Sequence, residues 1–221
     1  MAALLLLLVA IALATAVHLA GMVAAALLLR VPVKTVSFGV GPTLGTLGPG
    51  RASLLVKLVP LAGSVNFAAP EDDLRGARAF DDRGRLQKIA IAVSGCAACV
   101  IVACVVLGPQ AALREAAASW GEFFRVVTAF PGATAQWTPI LEALRGNGLV
   151  VVFALVCAKV GGLNLLPLAP LNGADALMLL LGKRYDNSAF ASGYLKMSVL
   201  LLMVVVVLWL IGAAVLIVKG V

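Results

Sequence analysis

The 221-residue sequence contains one histidine, His18, and that scarcity limits the chemistry open to it. No site needing two imidazoles from a single chain can be assembled. Charge is scarce as well. Only 12% of the residues are Asp, Glu, Lys or Arg, and none falls within 1–29. Acidic residues number 10 against 17 basic ones. Glu71, Asp72, Asp73, Asp81 and Asp82 are interspersed with the main basic cluster, which argues against a nucleic-acid surface. No internal repeat or low-complexity tail is evident.

What is abundant is apolar: 62% of the residues are hydrophobic, and the mean hydropathy is +1.09. A soluble domain of this length needs far less, whereas a bundle of spanning helices needs about this much. Four runs, 1–29 and about 88–107, 149–171 and 197–218, are at or near the ~20 residues that one bilayer crossing requires. The fold class expected is an α-helical polytopic membrane protein, one membrane domain over 1–221. The first run could be mistaken for a signal peptide, since Ala12-Leu13-Ala14 and Ala14-Thr15-Ala16 look like cleavage sites. No Lys or Arg precedes it, however, and it runs well past those sites, so a retained span is expected.

Basic residues set the expected topology. Arg30, Lys34, Arg51, Lys57, Arg75, Arg78, Arg83, Arg85 and Lys88 lie between the first and second runs, and Lys183, Arg184 and Lys196 between the third and fourth. The other side carries Arg114, Arg125, Arg145 and Lys219. The positive-inside rule turns the larger set to the cytoplasm, leaving both termini and the 109–148 connection outside. The expected location is the cell inner membrane.

Between the first two runs, the cytoplasmic loop 30–87 opens with a stretch rich in Gly and Pro that excludes a helix. Two strands are expected, 31–40 and 52–60, joined by a turn. Residues 53–69 are apolar enough to dip into the membrane, and such backbone survives there only against protein or in a wet cavity. In the outer connection, Leu113, Trp120, Phe123, Phe124 and Val127 recur at helical spacing. Arg114, Glu115, Glu122 and Arg125 lie among them, a pattern that suits a helix lying along the interface. Lys159, near the middle of the third run, either snorkels or lines a polar interior. Cys96 and Cys99 have the spacing of a metal or redox pair, but small apolar side chains in close helix contact account for them better.

The order of motifs carries a resemblance. His18 opens the segment His18-Leu19-Ala20-Gly21-Met22. It is followed by Phe38-Gly39-Val40-Gly41-Pro42, by Leu58-Val59-Pro60-Leu61-Ala62-Gly63 and by the stretch from Gln87 to Gly95. Last comes Asn164-Leu165-Leu166-Pro167-Leu168-Ala169-Pro170-Leu171-Asn172-Gly173. This succession resembles the site-2 protease family of intramembrane zinc metalloproteases over nearly the whole chain, without the PDZ insertion usual between the second and third core helices. The resemblance implies a helix supplying two His ligands and a Glu base. It further implies an Asp ligand in the third core helix, and a membrane-dipping hairpin that helps admit an unwound substrate helix.

Carried across position by position, His18 matches the first His, while Leu19 stands for the Glu, Met22 for the second His and Asn172 for the Asp. Zinc wants three ligands of imidazole, carboxylate or thiolate type, and a thioether suits Cu(I) better. Leu19 provides no general base, a loss typically worth ~10²–10⁴-fold. Asp175, three residues past Asn172, could share its face. The expectation is a pseudoprotease with no cofactor, no catalytic residue and no metal; any metal would fall to His18, Asn172 and Asp175. It would bind a membrane-protein partner or helix within the lipid bilayer, in a groove near His18, Met22, Asn164, Pro167 and Asn172. Two alternatives stay open: an active divergent metalloendopeptidase using zinc, and a subunit of a membrane transport or export complex.

Overall fold

Leu, Ala and Val without an internal proline form the first helix, α1 (Ala2–Leu28). It closes on Arg30, whose φ of 55° is left-handed, with Val31 N–H returning to the Ala26 carbonyl at 2.8 Å. Pro32 then prevents continuation. In this computed structural model the described residues are 2–48, 52–70, 72, 78–128, 143, 146, 148–182 and 189–218.

Two antiparallel strands follow, β1 (Val33–Leu47) and β2 (Ser53–Phe67). Both run further than the expected 31–40 and 52–60. The physical reason is local: Gly39 and Gly41 take φ of 95° and 93°, which bends the strand where a stiffer residue would end it. A Cβ on Gly39 would lie 2.8 Å from the Val59 carbonyl oxygen, so the bend needs glycine. The ladder pairs Val33 with Phe67 and Phe38 with Gly63 at one end, and Thr43 with Lys57 and Leu47 with Leu54 at the other. Thr35 to Phe38 also pair with Ser53 to Val56. The hairpin therefore doubles back, and the start of β1 becomes its central segment.

Beyond the hairpin, Lys34 donates to Asp72 at 2.8 Å, and the Ala69 N–H donates to the same carboxylate at 2.8 Å. The lysine and that amide hold the Asp72 carboxyl below its ordinary value. Lys88, buried in the first turn of α2 (Arg85–Leu107), donates to the Asp81 carbonyl at 2.6 Å and lies over the Phe80 ring, which stacks on Phe67. These contacts fix the entry of α2 against the hairpin.

The remaining helices are α3 (Pro109–Thr128), α4 (Leu149–Asn164), α5 (Asn172–Leu180) and α6 (Ala189–Val218). Three helical segments among the described residues are long and apolar enough to cross a membrane: Leu5–Leu28, Arg85–Leu107 and Ser192–Trp209. The third apolar run is divided. Its helix α4 has 16 residues and stops at Asn164, because Pro167 and Pro170 supply no N–H to a continuing ladder. Short bonds bridge the interruption, Leu168 to the Leu166 carbonyl and Leu171 to the Leu168 carbonyl, each at 2.8 Å. Gly173 packs on the Leu165 and Leu166 carbonyls, where a side chain would collide.

The outer connection differs from its expected placement along the interface. Helix α3 runs beside α4 in the same direction: Ala112 clusters with Cys157 and Ala158, Gly162 meets Ala116 and Ser119, and Phe123 and Val126 cluster with Leu166. The cause is a buried stripe at Ala112, Ala116, Ser119, Phe123 and Val126, spaced as one helix face requires. Charge reinforces it. Lys159 donates to both Glu122 oxygens at 2.6 and 2.8 Å and lies 3.4 Å from Glu115. Trp120 donates to the Gly162 carbonyl at 2.8 Å. The rest of the connection, 129–147 apart from 143 and 146, lies outside the described residues.

Small residues let the helices approach closely. Ala14, Cys99, Ala103, Ala112, Cys157 and Ala158 form one buried cluster where α1 to α4 meet. Gly161 faces the Cys96 carbonyl and the Cys99 Cβ, so the cysteine pair sits in tight helix contact as expected.

Candidate functional site

His18 is 7% exposed, well inside the apolar span of α1. Its Nε2 lies 3.3 Å from Asn172 Oδ1. Because that oxygen is an acceptor, the neutral ring carries its proton on Nε2. The other nitrogen, Nδ1, is buried without a hydrogen-bond partner. It lies against Gly95 of α2, where a Cβ would approach Nδ1 to 2.9 Å and the His18 carbonyl to 2.6 Å. Gly21, one turn along α1, meets Ala98 and Ser94 in the same way. The two glycines bring α1 and α2 into backbone contact on either side of the imidazole.

Asn172 is the first residue of α5, freed by the helix break to turn its amide toward α1. Its Nδ2 donates to the Ala92 carbonyl of α2 at 2.7 Å and reaches Met22 Sδ at 3.4 Å. One amide thus joins α1, α2 and α5. Leu19, 4% exposed, packs on β2, where a Cβ added at Gly63 would lie 2.7 Å from its Cδ1.

The structure brings together His18, Met22 and Asn172, with Leu19 alongside. Other candidates stand apart. Asn164 donates to the Val160 carbonyl at 2.9 Å within its own helix end, as expected of a residue satisfying the break. Pro167 is exposed, and its carbonyl accepts from the Tyr194 hydroxyl of α6 at 2.6 Å. Asp175 is exposed in the first turn of α5.

A model of peptidase family M50 matches residues 6–205. The chain belongs to that family. No curated protein matches it.

M50 peptidases of the site-2 protease type are zinc enzymes, and the residues of this member do not fit the ion. Among the described residues, no group of three or more His, Cys, Asp or Glu stands close enough to share a metal. The assembled set is one imidazole, one thioether and one amide, whereas zinc sites draw on imidazole, carboxylate and thiolate. Nor is a proton acceptor for water present at the position after His18, where Leu19 lies buried against the hairpin.

Two glycines of this M50 member were not among the candidate site residues, although each ends a motif quoted from the sequence: Gly63 in Leu58–Gly63 and Gly95 in Gln87–Gly95. Their role is absence of bulk, which a search for reactive side chains passes over. Glu115 and Glu122, the partners of Lys159, were legible as acids seven residues apart on one helix face, a spacing that two turns of helix bring into line.

Proposed function

We propose that this M50 member is a pseudoprotease that keeps the family's scaffold and binds another membrane protein's helix or extended segment. The groove lies among α1, the hairpin and the α4–α5 break, near His18, Met22, Asn164, Pro167 and Asn172. One observation carries the reading: the Asn172 amide is engaged by His18, Met22 and the Ala92 carbonyl, where a zinc enzyme needs a carboxylate and a second imidazole. Leu19 adds to it, because general-base assistance has no group to come from.

The chain then crosses the inner membrane four times. The third crossing is α4, about 24 Å long at 1.5 Å per residue for its 16 residues, extended by the broken stretch toward Leu171. Both termini face outward, following the basic residues of the hairpin loop and of the α5–α6 connection. Neither alternative draws particular support: an enzyme needs ligands the site lacks, and a conduction path through Lys159 and His18 would join residues held by different partners.

The test is a photo-crosslinking amino acid at Met22 in the full-length protein in its native membrane, read beside a comparison of cleaved membrane proteins with and without His18. Crosslinks to a transmembrane or juxtamembrane segment, with no His18-dependent cleavage, are expected. Cleavage that disappears in His18→Ala overturns the reading.

A further inference from the structure

Although zinc does not suit His18, Met22 and Asn172, these residues are not indifferent to metals. A neutral imidazole nitrogen and a neutral thioether sulfur are donors that a soft monovalent ion selects, Cu(I) foremost. His18 and Met22 stand one turn apart on one face of α1. Both side chains end on Asn172, at 3.3 Å from His18 Nε2 and 3.4 Å from Met22 Sδ. The first is long for an N–H to oxygen bond, and a thioether is a weak acceptor. Asn172 also holds the Ala92 carbonyl at 2.7 Å. It can therefore stay anchored on α2 while both donors turn to a cation.

The second observation is Nδ1 of the same ring. With the proton on Nε2, Nδ1 is a buried acceptor that no donor reaches. A cation on Nε2 moves that proton to Nδ1, so binding needs no proton release. We infer that His18 Nε2 and Met22 Sδ form a Cu(I) site at the junction of α1, α2 and α5. The site goes beyond the pseudoprotease reading and uses the donors that replaced a zinc set.

Thiols compete for the same ion, and Cys96, Cys99 and Cys157 are buried in neighbouring contacts, so the test must tell Met from Cys. The full chain, purified in detergent with selenomethionine and ¹⁵N-histidine, is titrated anaerobically with Cu(I) against a competing chelator and read by X-ray absorption at the copper edge. One Cu(I) per chain with nitrogen and selenium neighbours is expected, together with a shift of the single histidine's ¹⁵N signals. Met22→Leu, close in volume and so expected to fold, removes the selenium neighbour. It should weaken binding by more than the ~10–100-fold that losing a supporting group around a metal costs. Sulfur-only coordination, affinity unchanged in Met22→Leu, or no binding at all overturns the site. None of those results bears on the pseudoprotease reading, which fails on zinc and cleavage instead.

Discussion

His18 and Asn172, 154 residues apart in the chain, face each other across the α1–α5 contact with ring nitrogen and amide oxygen 3.3 Å apart. A carboxylate and a metal would occupy this ground in an M50 peptidase. An amide holds it here, and it joins three helices.

Asn172→Ala leaves the buried imidazole with neither nitrogen satisfied, since Nδ1 already lacks a partner. An orphaned buried polar group costs about 1–3 kcal/mol, and a fall in thermal stability of that size is expected for the purified protein in detergent. The paired change His18→Phe with Asn172→Leu removes donor and acceptor together and should recover most of the loss. Equal destabilisation in both variants would show that the hydrogen bond is not what Asn172 contributes.

Restoring ligands should restore the ion. Met22→His with Asn172→Asp supplies two imidazoles and a carboxylate from the positions that now converge, and about one zinc per chain is expected by elemental analysis. Adding Leu19→Glu returns the base, worth ~10²–10⁴-fold in any cleavage rate. Zinc uptake without cleavage in the double variant, and cleavage in the triple one, is the expected pattern. A double variant that takes up no zinc would mean that α1 and α5 are not set at coordinating distance.

Lys159 is about one-fifth exposed and sits between Glu115 and Glu122. Lys159→Met removes the cation that Glu115 and Glu122 share, and breaking a fully buried pair costs about 3–5 kcal/mol. Partial exposure places the expected loss toward the lower end of that range. Combining it with Glu115→Gln and Glu122→Gln should return most of the stability, and thermal unfolding of the unsubstituted protein, the single and the triple variant measures it. No rescue would mean that the alkyl stem rather than the charge holds α3 to α4.

The exposed Asp72 carboxyl gives a pH signature. Its value is lowered in the folded chain by Lys34 and the Ala69 amide. It binds a proton more readily when unfolded, so its contribution is fully present above the unfolded value of 3.8 and is lost as pH falls through the lower folded one. Acidification should therefore release the segment after β2, seen as faster proteolysis near Ala69. Asp72→Asn should show that faster cleavage already at neutral pH, with a weaker pH dependence.

Much of this was legible in the sequence, for physical reasons that differ by element. Apolar length gave α1, α2 and α6, and Pro167 with Pro170 announced the break that ends α4 at Asn164. The converging site was readable because motif order located His18, Met22 and Asn172 before any geometry was known. The doubling of the hairpin was not readable, since glycines at 39 and 41 signal a departure from regular strand but not its direction. The course of α3 was hidden too. Periodicity shows that a helix has an apolar face, yet not whether lipid headgroups or α4 will cover it, and only Glu115 and Glu122 hinted at a cationic partner.

The zinc content of the purified full-length protein tests the central claim most directly, measured by mass spectrometry of the metal after equilibration with zinc and removal of the excess. Far less than one zinc per chain, unchanged in His18→Ala, is the predicted result. One zinc per chain that disappears in His18→Ala would contradict it.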